Sequence, residues 1–308
     1  MRRVSPNGAF NSVEASVLQQ VQGGTDRLSE KRACSINNRP GAIGVLAGIG
    51  HYIAQKGQPM SLNYPSPLTL GLSAVAHDDA SFAGPSHRHQ DAQLIYARSG
   101  VVSVTTENGT WVVPPNRAVW VPSMMEHATR SHGPVQFRTI FVCSDPARSL
   151  PMSCCVVEVS PLLRELILRL VDLQDRAITS FTQRIGELLL EELTFLPTEP
   201  LNLPMPVDQR FRDLCETLQA NPDTELPLDA AAARTGMSRR SFMRHFERET
   251  SLPYGRWRQQ ARLLAALPSL AAGMPVVTVA LDCGYQSASA FAATFKRSLG
   301  RSPASYFD

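Results

Sequence analysis

Between Leu68 and Val142 the chain consists of short apolar runs separated by turn residues. Asn108-Gly109 stands between two of these runs, and this pair favours a hairpin turn in which both central residues take positive φ. Many short strands joined by proline and glycine turns are typical of a small β-barrel or sandwich. We therefore predict strands within the runs Leu94–Tyr96, Val101–Thr106, Trp111–Val113, Val119–Val121 and Phe137–Val142.

The apolar period changes to that of a helix at Ser160. Ser160 is a good N-cap, and Pro161 suits the first helical position. The apolar positions of two predicted amphipathic helices are Leu162, Leu163, Leu166, Ile167 and Leu170, then Phe181, Ile185, Leu188, Leu189 and Leu193. These stripes fit either a domain core or a dimer interface. Four prolines between Leu196 and Pro206 predict a linker.

The remaining sequence is helical, and one design occurs in it twice. In the first copy a short helix, Leu228–Thr235, meets Gly236, which suits the positive φ of a tight turn between helices. Ser238 then caps a second helix in which Phe242 and Phe246 share one face. The opposite face carries Arg239, Arg240, Arg244 and Arg248.

The second copy lies in residues 276–300. Here Gly284-Tyr285 forms the turn, Ser287 is the cap, and the two phenylalanines are Phe291 and Phe295. Lys296 and Arg297 follow. Two aligned copies of one helix-turn-helix are stronger evidence for DNA binding than either copy alone.

A single helix, Pro253 to Ala272, is predicted between the two copies. About 20 residues would span roughly 30 Å, close to the ~34 Å between successive major grooves on one face of DNA. One rigid helix can therefore hold two recognition helices in adjacent grooves. Pro268 should bend this helix or begin its last turns afresh.

These motifs resemble the AraC/XylS family of transcription regulators over about the last hundred residues. The resemblance rests on Ala232, Gly236, Met237, Ser238, Arg244 and Phe246 in the first copy, and on Gly284, Tyr285, Ser287, Phe291, Phe295, Lys296, Gly300, Ser302 and Pro303 at the C-terminus. It implies that the exposed side of each recognition helix enters the major groove. The implied DNA-binding residues are Ser238, Arg239, Arg240, Met243, Arg244, Arg248, Ser287, Ala288, Ser289, Ala292, Ala293, Lys296 and Arg297.

The two recognition helices differ in what they offer to base edges. By position, the resemblance puts Arg240, Met243 and Arg244 near bases, and an arginine can bond guanine O6 and N7 together. The matching positions of the second copy are Ala288, Ser289, Ala292 and Ala293, which departs from the longer polar groups common in the family. We expect the first unit to set most of the specificity and the second to anchor mainly to phosphate.

Histidines in the β-rich part resemble the two cupin motifs. His87-x-His89 with Gln93 resembles the first, with Gln93 where a Glu is usual, and Pro122-x-Met124-x-x-His127 resembles the second, with Met124 replacing Gly. Two histidines at i and i+2 lie on one face of a strand. We expect His87, His89, Gln93 and His127 to converge inside a cupin-like barrel, with Met124 altering the turn before His127.

Two uses of this cluster stay open. Three imidazoles and an amide oxygen can hold a divalent metal such as Zn, Fe, Ni or Mn. Alternatively, the histidines line a pocket for an organic effector, together with Tyr96 and Trp120. The sequence gives weaker support to a metal-dependent cupin enzyme, such as a dioxygenase. The usual Glu ligand is absent, and no acid–base pair stands out beside the histidines. We expect no catalytic residues.

Composition agrees with a two-domain protein. The 308 residues carry a net charge of +3, which neither demands nor excludes nucleic acid. The six cysteines lack zinc-finger spacing. Scattered cysteines in a sequence without a secretory signal favour the cytoplasm. The neighbouring pair Cys154-Cys155 could be a redox site. No apolar run reaches the roughly 18 residues of a membrane span.

The predicted class is α+β with several domains. We expect a poorly ordered extension (1–59, with Met60 a candidate initiator), a cupin-like sensor barrel (60–147), a helical dimerisation segment with a proline-rich linker (148–206) and an all-α double helix-turn-helix domain (207–308). The expected function is regulation of promoters in response to a small molecule. The expected partners are double-stranded promoter DNA, the effector, RNA polymerase and a second copy of the chain; activation versus repression is open.

Overall fold

The computed structural model of the protein describes residues 71–174, 176–196 and 201–307. The predicted extension, 1–59, lies outside the described residues. Ten strands lie within them: β1 (Leu72–Asp79), β2 (Ala92–Ser99), β3 (Val102–Thr106), β4 (Gly109–Val113), β5 (Arg117–Val121), β6 (His127–Ser131), β7 (Val135–Val142), β8 (Cys155–Glu158), β9 (Thr194–Leu196) and β10 (Asn202–Pro204).

The strands form two antiparallel sheets that face each other. One has the order β1-β7-β2-β5-β8-β9 and the other β10-β4-β3-β6. Ile95 and Val119 of the first sheet share one buried cluster with Val104 and Trp111 of the second, so these side chains fill the space between the sheets. The predicted barrel is therefore present, and alternate residues of β2 and β5 point away from its interior.

Two helices cover the outer face of the larger sheet. They are α2 (Pro161–Leu173) and α3 (Ser180–Glu191), which follow the four-residue helix α1 (Ser144–Ala147). The predicted Ser160 cap is present, because its Oγ accepts the Leu163 N–H at 3.0 Å. Most of the predicted apolar stripe belongs to the domain core. The side chains that pack against the outer face of the larger sheet are Leu163, Leu166, Ile167, Leu170, Ile185 and Leu189. Leu162, Phe181 and Leu188 are exposed.

The barrel extends beyond its predicted end at residue 147. Strands β8 and β9 add to the larger sheet within the segment 148–206, which we had expected to be helical and linking. The proline-rich stretch also contains a strand, because β10 pairs with β4 in the register Asn202 with Trp111 to Pro204 with Gly109. An edge strand tolerates Pro204, whose missing N–H removes no bond from an inner ladder.

The hairpin predicted at Asn108-Gly109 joins β3 to β4, but the turn is shifted by one residue. Glu107 and Asn108 form the turn, while Gly109 already belongs to β4 opposite Thr106. Positive φ at both Asn108 and Gly109 was a wrong expectation, because of the two only Gly109 has it. Gly109 serves a close approach: a Cβ there would lie 2.7 Å from the Leu203 carbonyl oxygen of β10.

The rest of the chain is helical, as predicted. Its helices are α4 (Gln209–Ala220), α5 (Leu228–Arg234), α6 (Arg239–Thr250), α7 (Tyr254–Ala271), α8 (Val276–Asp282) and α9 (Ala288–Leu299), followed by a 3₁₀ turn, Pro303–Ser305. The pairs α5/α6 and α8/α9 are the two expected helix-turn-helix units. Gly236 and Gly284 take φ of 69° and 73° at their turns.

Helix α7 connects the two units as one element of 18 residues. The helix continues through Pro268 to Ala271, so the expected fresh start of its last turns is wrong, and the expected bend at Pro268 stays a prediction. Trp257 and Leu267 on this helix are fully buried in the helical core. No helix in the described residues is both long and apolar enough to cross a membrane.

Candidate effector pocket and nucleic-acid interface

Three histidines converge inside the barrel. Candidate ligand atoms of His87, His89 and His127 all lie within 4.8 Å of one another. His127 opens β6, and two reciprocal backbone bonds of 2.9 Å join it to His87 in an isolated bridge. The expectation that His87 and His89 share a strand face is wrong, because this segment precedes β2 and is irregular. The imidazoles meet through this bridge rather than through strand alternation.

The turn before His127 keeps the backbone that glycine would favour. Met124 has φ of 62°, in the left-handed region. Its N–H donates to the His89 carbonyl at 2.8 Å, which joins the two histidine-bearing segments. Met124 therefore holds a conformation that glycine adopts more readily, and its side chain is about half exposed.

Gln93 lies at the centre of the cluster. Its Oε1 is 3.2 Å from His89 Nε2 and 3.0 Å from His127 Nε2. Its amide nitrogen donates to Thr139 Oγ1 at 2.9 Å, and that hydroxyl donates to the Leu94 carbonyl at 3.0 Å. Strand alternation on β2 aims Gln93 inward, and β7 supplies Thr139 from the neighbouring strand. Thr139 thus holds the amide nitrogen of Gln93, and the amide oxygen faces two imidazoles.

Backbone carbonyls fix the orientation of the imidazoles. The Nδ1 atoms of His89 and His127 lie 2.6 Å from the Asp91 carbonyl oxygen and 2.9 Å from that of Met125. A carbonyl only accepts hydrogen bonds, so each Nδ1 carries a proton, and in a neutral ring Nε2 then presents a lone pair. Those lone pairs face Gln93 Oε1, which is also an acceptor. A bound cation, or an inverted amide of Gln93, removes this conflict.

Burial keeps the inner imidazoles neutral. It lowers the pKa of His127 to about 3, and it lowers the pKa of His89 below its usual value, against the raising effect of the Asp91 carbonyl. Neutral imidazole is the form that binds metals.

Two predicted pocket residues lie elsewhere. Tyr96 and Trp120 pack on the outer face of the large sheet, in the cluster that contains Leu163 and Ile167 of α2. Trp120 Nε1 donates to the Pro151 carbonyl at 2.8 Å. Their assignment to the effector pocket is therefore wrong. Tyr96 is three residues from Gln93, so strand alternation alone places the two on opposite faces.

Two residues of the pocket escaped the sequence analysis. Thr139 holds Gln93, and the Phe141 ring lies edge-on to His89 with centroids 5.4 Å apart. Both are on β7, which pairs with β2 so that Phe141 lies opposite Gln93 and Thr139 opposite Ile95. No local pattern in the sequence reveals that pairing. The vicinal thiols lie outside the cluster: burial raises the pKa of Cys154 to about 12 and that of Cys155 to about 11, which disfavours redox reactivity.

The first recognition helix, α6, presents the expected basic face. Ser238 caps it, since its Oγ accepts the Ser241 N–H at 3.3 Å. Exposed on it are Arg239, Arg240, Met243, Arg244 and Arg248. Arg239 pairs with Asp229 of α5 at 3.1 Å and Arg248 approaches Glu249 at 3.7 Å. Across the described part of the chain, no carboxylate lies within ion-pair distance of Arg240 or Arg244, so these two have the free donors that DNA needs.

The second recognition helix, α9, has the same length as α6 but carries fewer basic residues and smaller side chains on its outer side. Ser287 caps it by accepting the Ala290 N–H at 3.2 Å. Ser289, Ala293, Lys296 and Arg297 are exposed, whereas Ala288 and Ala292 are half-buried. Half-burial of two of the four positions matched to base contacts reduces further what this helix can offer to base edges.

Both the β-rich part and the helical part of the chain are similar to known protein families. Residues 71–235 match a family profile described as an AraC-like ligand binding domain, and residues 231–308 match one described as a helix-turn-helix domain. The HTH-type transcriptional regulator NimR of Escherichia coli is 35% identical over 223 residues, which is 72% of this chain and 81% of that protein. RipA of Corynebacterium glutamicum, another HTH-type transcriptional regulator, is 28% identical over 36% of this chain and 32% of its own length.

Among solved structures, ToxT from Vibrio cholerae aligns with 77% of this chain and 98% of its own, at 10% identity and a TM-score of 0.34. The DNA-binding domain of AdpA, in complex with a target DNA, is 33% identical over 33% of this chain and 90% of its own, with a TM-score of 0.30.

Proposed function

This chain belongs to the AraC/XylS family of transcriptional regulators, and we propose that it senses a divalent metal at His87, His89, His127 and Gln93. As a member of the family it is a DNA-binding transcription factor, not an enzyme, with a helix-turn-helix domain and a ligand-binding domain. The convergence of the three imidazoles, two of which contact Gln93 Oε1, supports the sensing proposal.

The donor set suits a metal because its tautomers are fixed. The Nδ1 bonds to the Asp91 and Met125 carbonyls leave Nε2 as the available ligand atom of His89 and His127. Ligand atoms within 4.8 Å of one another need only small movements to reach the ~3.4 Å spacing of tetrahedral ligands at bond lengths near 2.1 Å. The same carbonyl bonds serve as the outer support that metal-bound histidines usually have.

An organic effector is the second candidate. The Phe141 ring beside His89 gives the pocket an apolar wall, and a carboxylate could bond protonated imidazole nitrogens. That arrangement would require His89 or His127 to give up its Nδ1 bond or to gain a proton in a buried site. The metal needs neither change, which is why we favour it.

Elemental analysis of the full-length protein tests the metal proposal. We expect about one metal per chain in wild-type protein, tighter retention in Gln93→Glu, which adds an anionic ligand, and loss in His127→Ala. Gln93→Leu is a further variant, which removes the ligand oxygen and leaves a shorter apolar side chain. Metal-free wild-type protein that still responds to an organic effector, with the response abolished by His89→Ala, would support the second candidate instead.

For DNA, we propose that Arg240 and Arg244 read base edges from α6, and that α9 anchors through Lys296 and Arg297 to phosphates. The exposed, unpaired guanidinium groups of α6 support base readout, since arginine forms bidentate bonds to guanine. Ser238, Arg239, Met243 and Arg248 would flank this contact. On α9, Ser287, Ala288, Ser289, Ala292 and Ala293 would give shape and methyl contacts only.

We also propose a homodimer that works in the cytoplasm with RNA polymerase at promoters. The exposed Leu162, Phe181 and Leu188 on α2 and α3 support the dimer, because a second copy would remove them from water. Light scattering of full-length protein should give a dimer mass for wild type and a monomer mass for Leu188→Glu. Leu162→Glu is a second test of the same face, and a wild-type monomer at micromolar concentration would contradict the proposal.

A further inference from the structure

Arg262 of helix α7 contacts both helix-turn-helix units. Its Nε donates to the Pro222 carbonyl at 2.9 Å, in the loop that leads into α5 of the first unit. Its guanidinium also lies over the Tyr285 ring, with Cζ 6.0 Å from the centroid, at the turn of the second unit. One side chain on the connecting helix therefore joins the entrance of one unit to the turn of the other.

The turn of the second unit at Gly284 lies close both to Arg262 and to the loop of the first unit. A Cβ added to Gly284 would lie 2.8 Å from Arg262 Nη2 and 2.9 Å from the Asp223 Cα. The turn at Gly284 thus packs directly against the loop of the first unit and against the arginine that holds that loop. Its φ of 73° is a second reason for glycine at this position.

Arg262 is the last of three side chains on one face of α7 that bind the same loop. Tyr254 Oη donates to the Leu226 carbonyl at 2.9 Å, and Arg258 donates to the carbonyls of Leu226 and Thr224. These residues are four apart, so they follow one another along the helix. The loop is held along three turns of α7, and among these three only Arg262 reaches the second unit.

We propose that Arg262 is a positioning residue that sets the distance and angle between the two DNA-reading units, and thereby the spacing of the two halves of the operator. This rests on the proposed function, in which α6 reads base edges and α9 adds phosphate, shape and methyl contacts in the neighbouring half. Adding one base pair between the halves shifts the second by about 3.4 Å and rotates it by roughly 35°. A rigidly held pair of units should reject that change, whereas a loosely joined pair should tolerate it.

The test compares wild-type protein with Arg262→Ala, Arg262→Lys and the control Arg256→Ala. Arg256 is exposed on the same helix, and its side chain makes no hydrogen bond or ion pair with the described residues, so its loss removes an equal charge. Arg262→Lys keeps the charge and most of the stem, but an ammonium cannot bond Pro222 and cover Tyr285 together. Full-length proteins are titrated with a duplex selected by wild type, with versions carrying one or two base pairs more or fewer between the halves, and with a single half.

We expect both Arg262 variants to bind the selected duplex about tenfold more weakly while binding the single half as wild type does. Their preference for the selected spacing should flatten, and Arg256→Ala should keep it. A wild-type spacing preference in both Arg262 variants would overturn the proposal for Arg262 alone. A wild type that binds the single half as tightly as the whole would overturn the two-unit reading as well. Equal weakening on half and whole duplexes would show a folding defect and would also contradict a positioning role.

Discussion

Trp257 Nε1 donates a hydrogen bond of 2.7 Å to the Pro204 carbonyl oxygen. Trp257 is fully buried on α7, and Pro204 ends the last strand of the barrel. Gln260, one turn further, donates to the Asn202 carbonyl of the same strand. The helix that holds both DNA-reading units is thus bound to strand β10, which shares its sheet with His127 on β6. This is a continuous structural connection from the histidine cluster to the DNA-binding domain.

Trp257→Phe should loosen β10 while leaving the aromatic packing of α7. The free energy of unfolding should fall by about 1–2 kcal/mol, because the partly buried Pro204 carbonyl loses its partner. The Met205 and Val112 amides, which bond Asn108 and Leu201 carbonyls across β4 and the β10 segment, should exchange hydrogen faster. Hydrogen exchange read by mass spectrometry measures this.

Trp120→Phe is the matched control for that experiment. Trp120 makes the same kind of bond, to the Pro151 carbonyl, but within the barrel domain. It should cost similar stability without speeding exchange at Met205 and Val112. Equal acceleration in both variants would mean that the Trp257 bond does not hold β10 specifically.

Gly109→Ala should also separate β10 from β4. The new Cβ would lie 2.7 Å from the Leu203 carbonyl oxygen and 2.9 Å from Asn202 Oδ1, and backbone atoms yield little. Gly133→Ala is the control, since Gly133 also has positive φ but has nothing within 4 Å of its added Cβ. Denaturant unfolding should show Gly109→Ala to be less stable than the control by about 1–3 kcal/mol. Equal stabilities would show that the β4–β10 contact can relax.

Met124→Gly should stabilise the protein by about 0.5–1 kcal/mol. A non-glycine residue in the left-handed region costs roughly 1–2 kcal/mol, which exceeds the entropy that glycine adds to the unfolded chain. Met152→Gly is the control, because Met152 is also exposed but is absent from the positive-φ positions. It should destabilise slightly. A thermal melt in which Met124→Gly unfolds at lower temperature than wild type would contradict the strain argument.

Arg244→Ala should weaken binding to the selected duplex more than binding to random DNA. Loss of one bidentate base contact costs about 1–3 kcal/mol. Ala293→Ser on α9 should leave sequence preference unchanged, and selection from random DNA should yield one well-defined half and one loose half. Equal losses on both duplexes for Arg244→Ala would show that Arg244 touches phosphate only. Two equally sharp halves would contradict the proposal that α6 sets most of the specificity.

The sequence predicted the features that depend on neighbouring residues. The caps at Ser160, Ser238 and Ser287, and the turns at Gly236 and Gly284, follow from local backbone chemistry, and all are present. The convergence of the histidines also follows from a resemblance in spacing.

The features that were wrong or missed depend on contacts between distant segments. The prolines in and around β10 predict a linker when only the neighbouring residues are considered. Pairing with β4, which is distant in sequence, makes this segment a strand. Thr139 enters the pocket only through the pairing of β7 with β2. Tyr96 is different: its wrong assignment could have been avoided by counting strand alternation from Gln93.

Control of DNA binding by the occupant of the His87, His89, His127 and Gln93 cluster is the central prediction. Its most direct test is the affinity of full-length protein for the selected duplex, measured by fluorescence anisotropy with metal-loaded and metal-stripped protein. Coupling between sites typically changes affinity about 5–150-fold, and we expect a change of at least fivefold in wild type and none in His127→Ala. An equal affinity in both wild-type forms, with metal shown to be bound in one and absent in the other, would contradict the account.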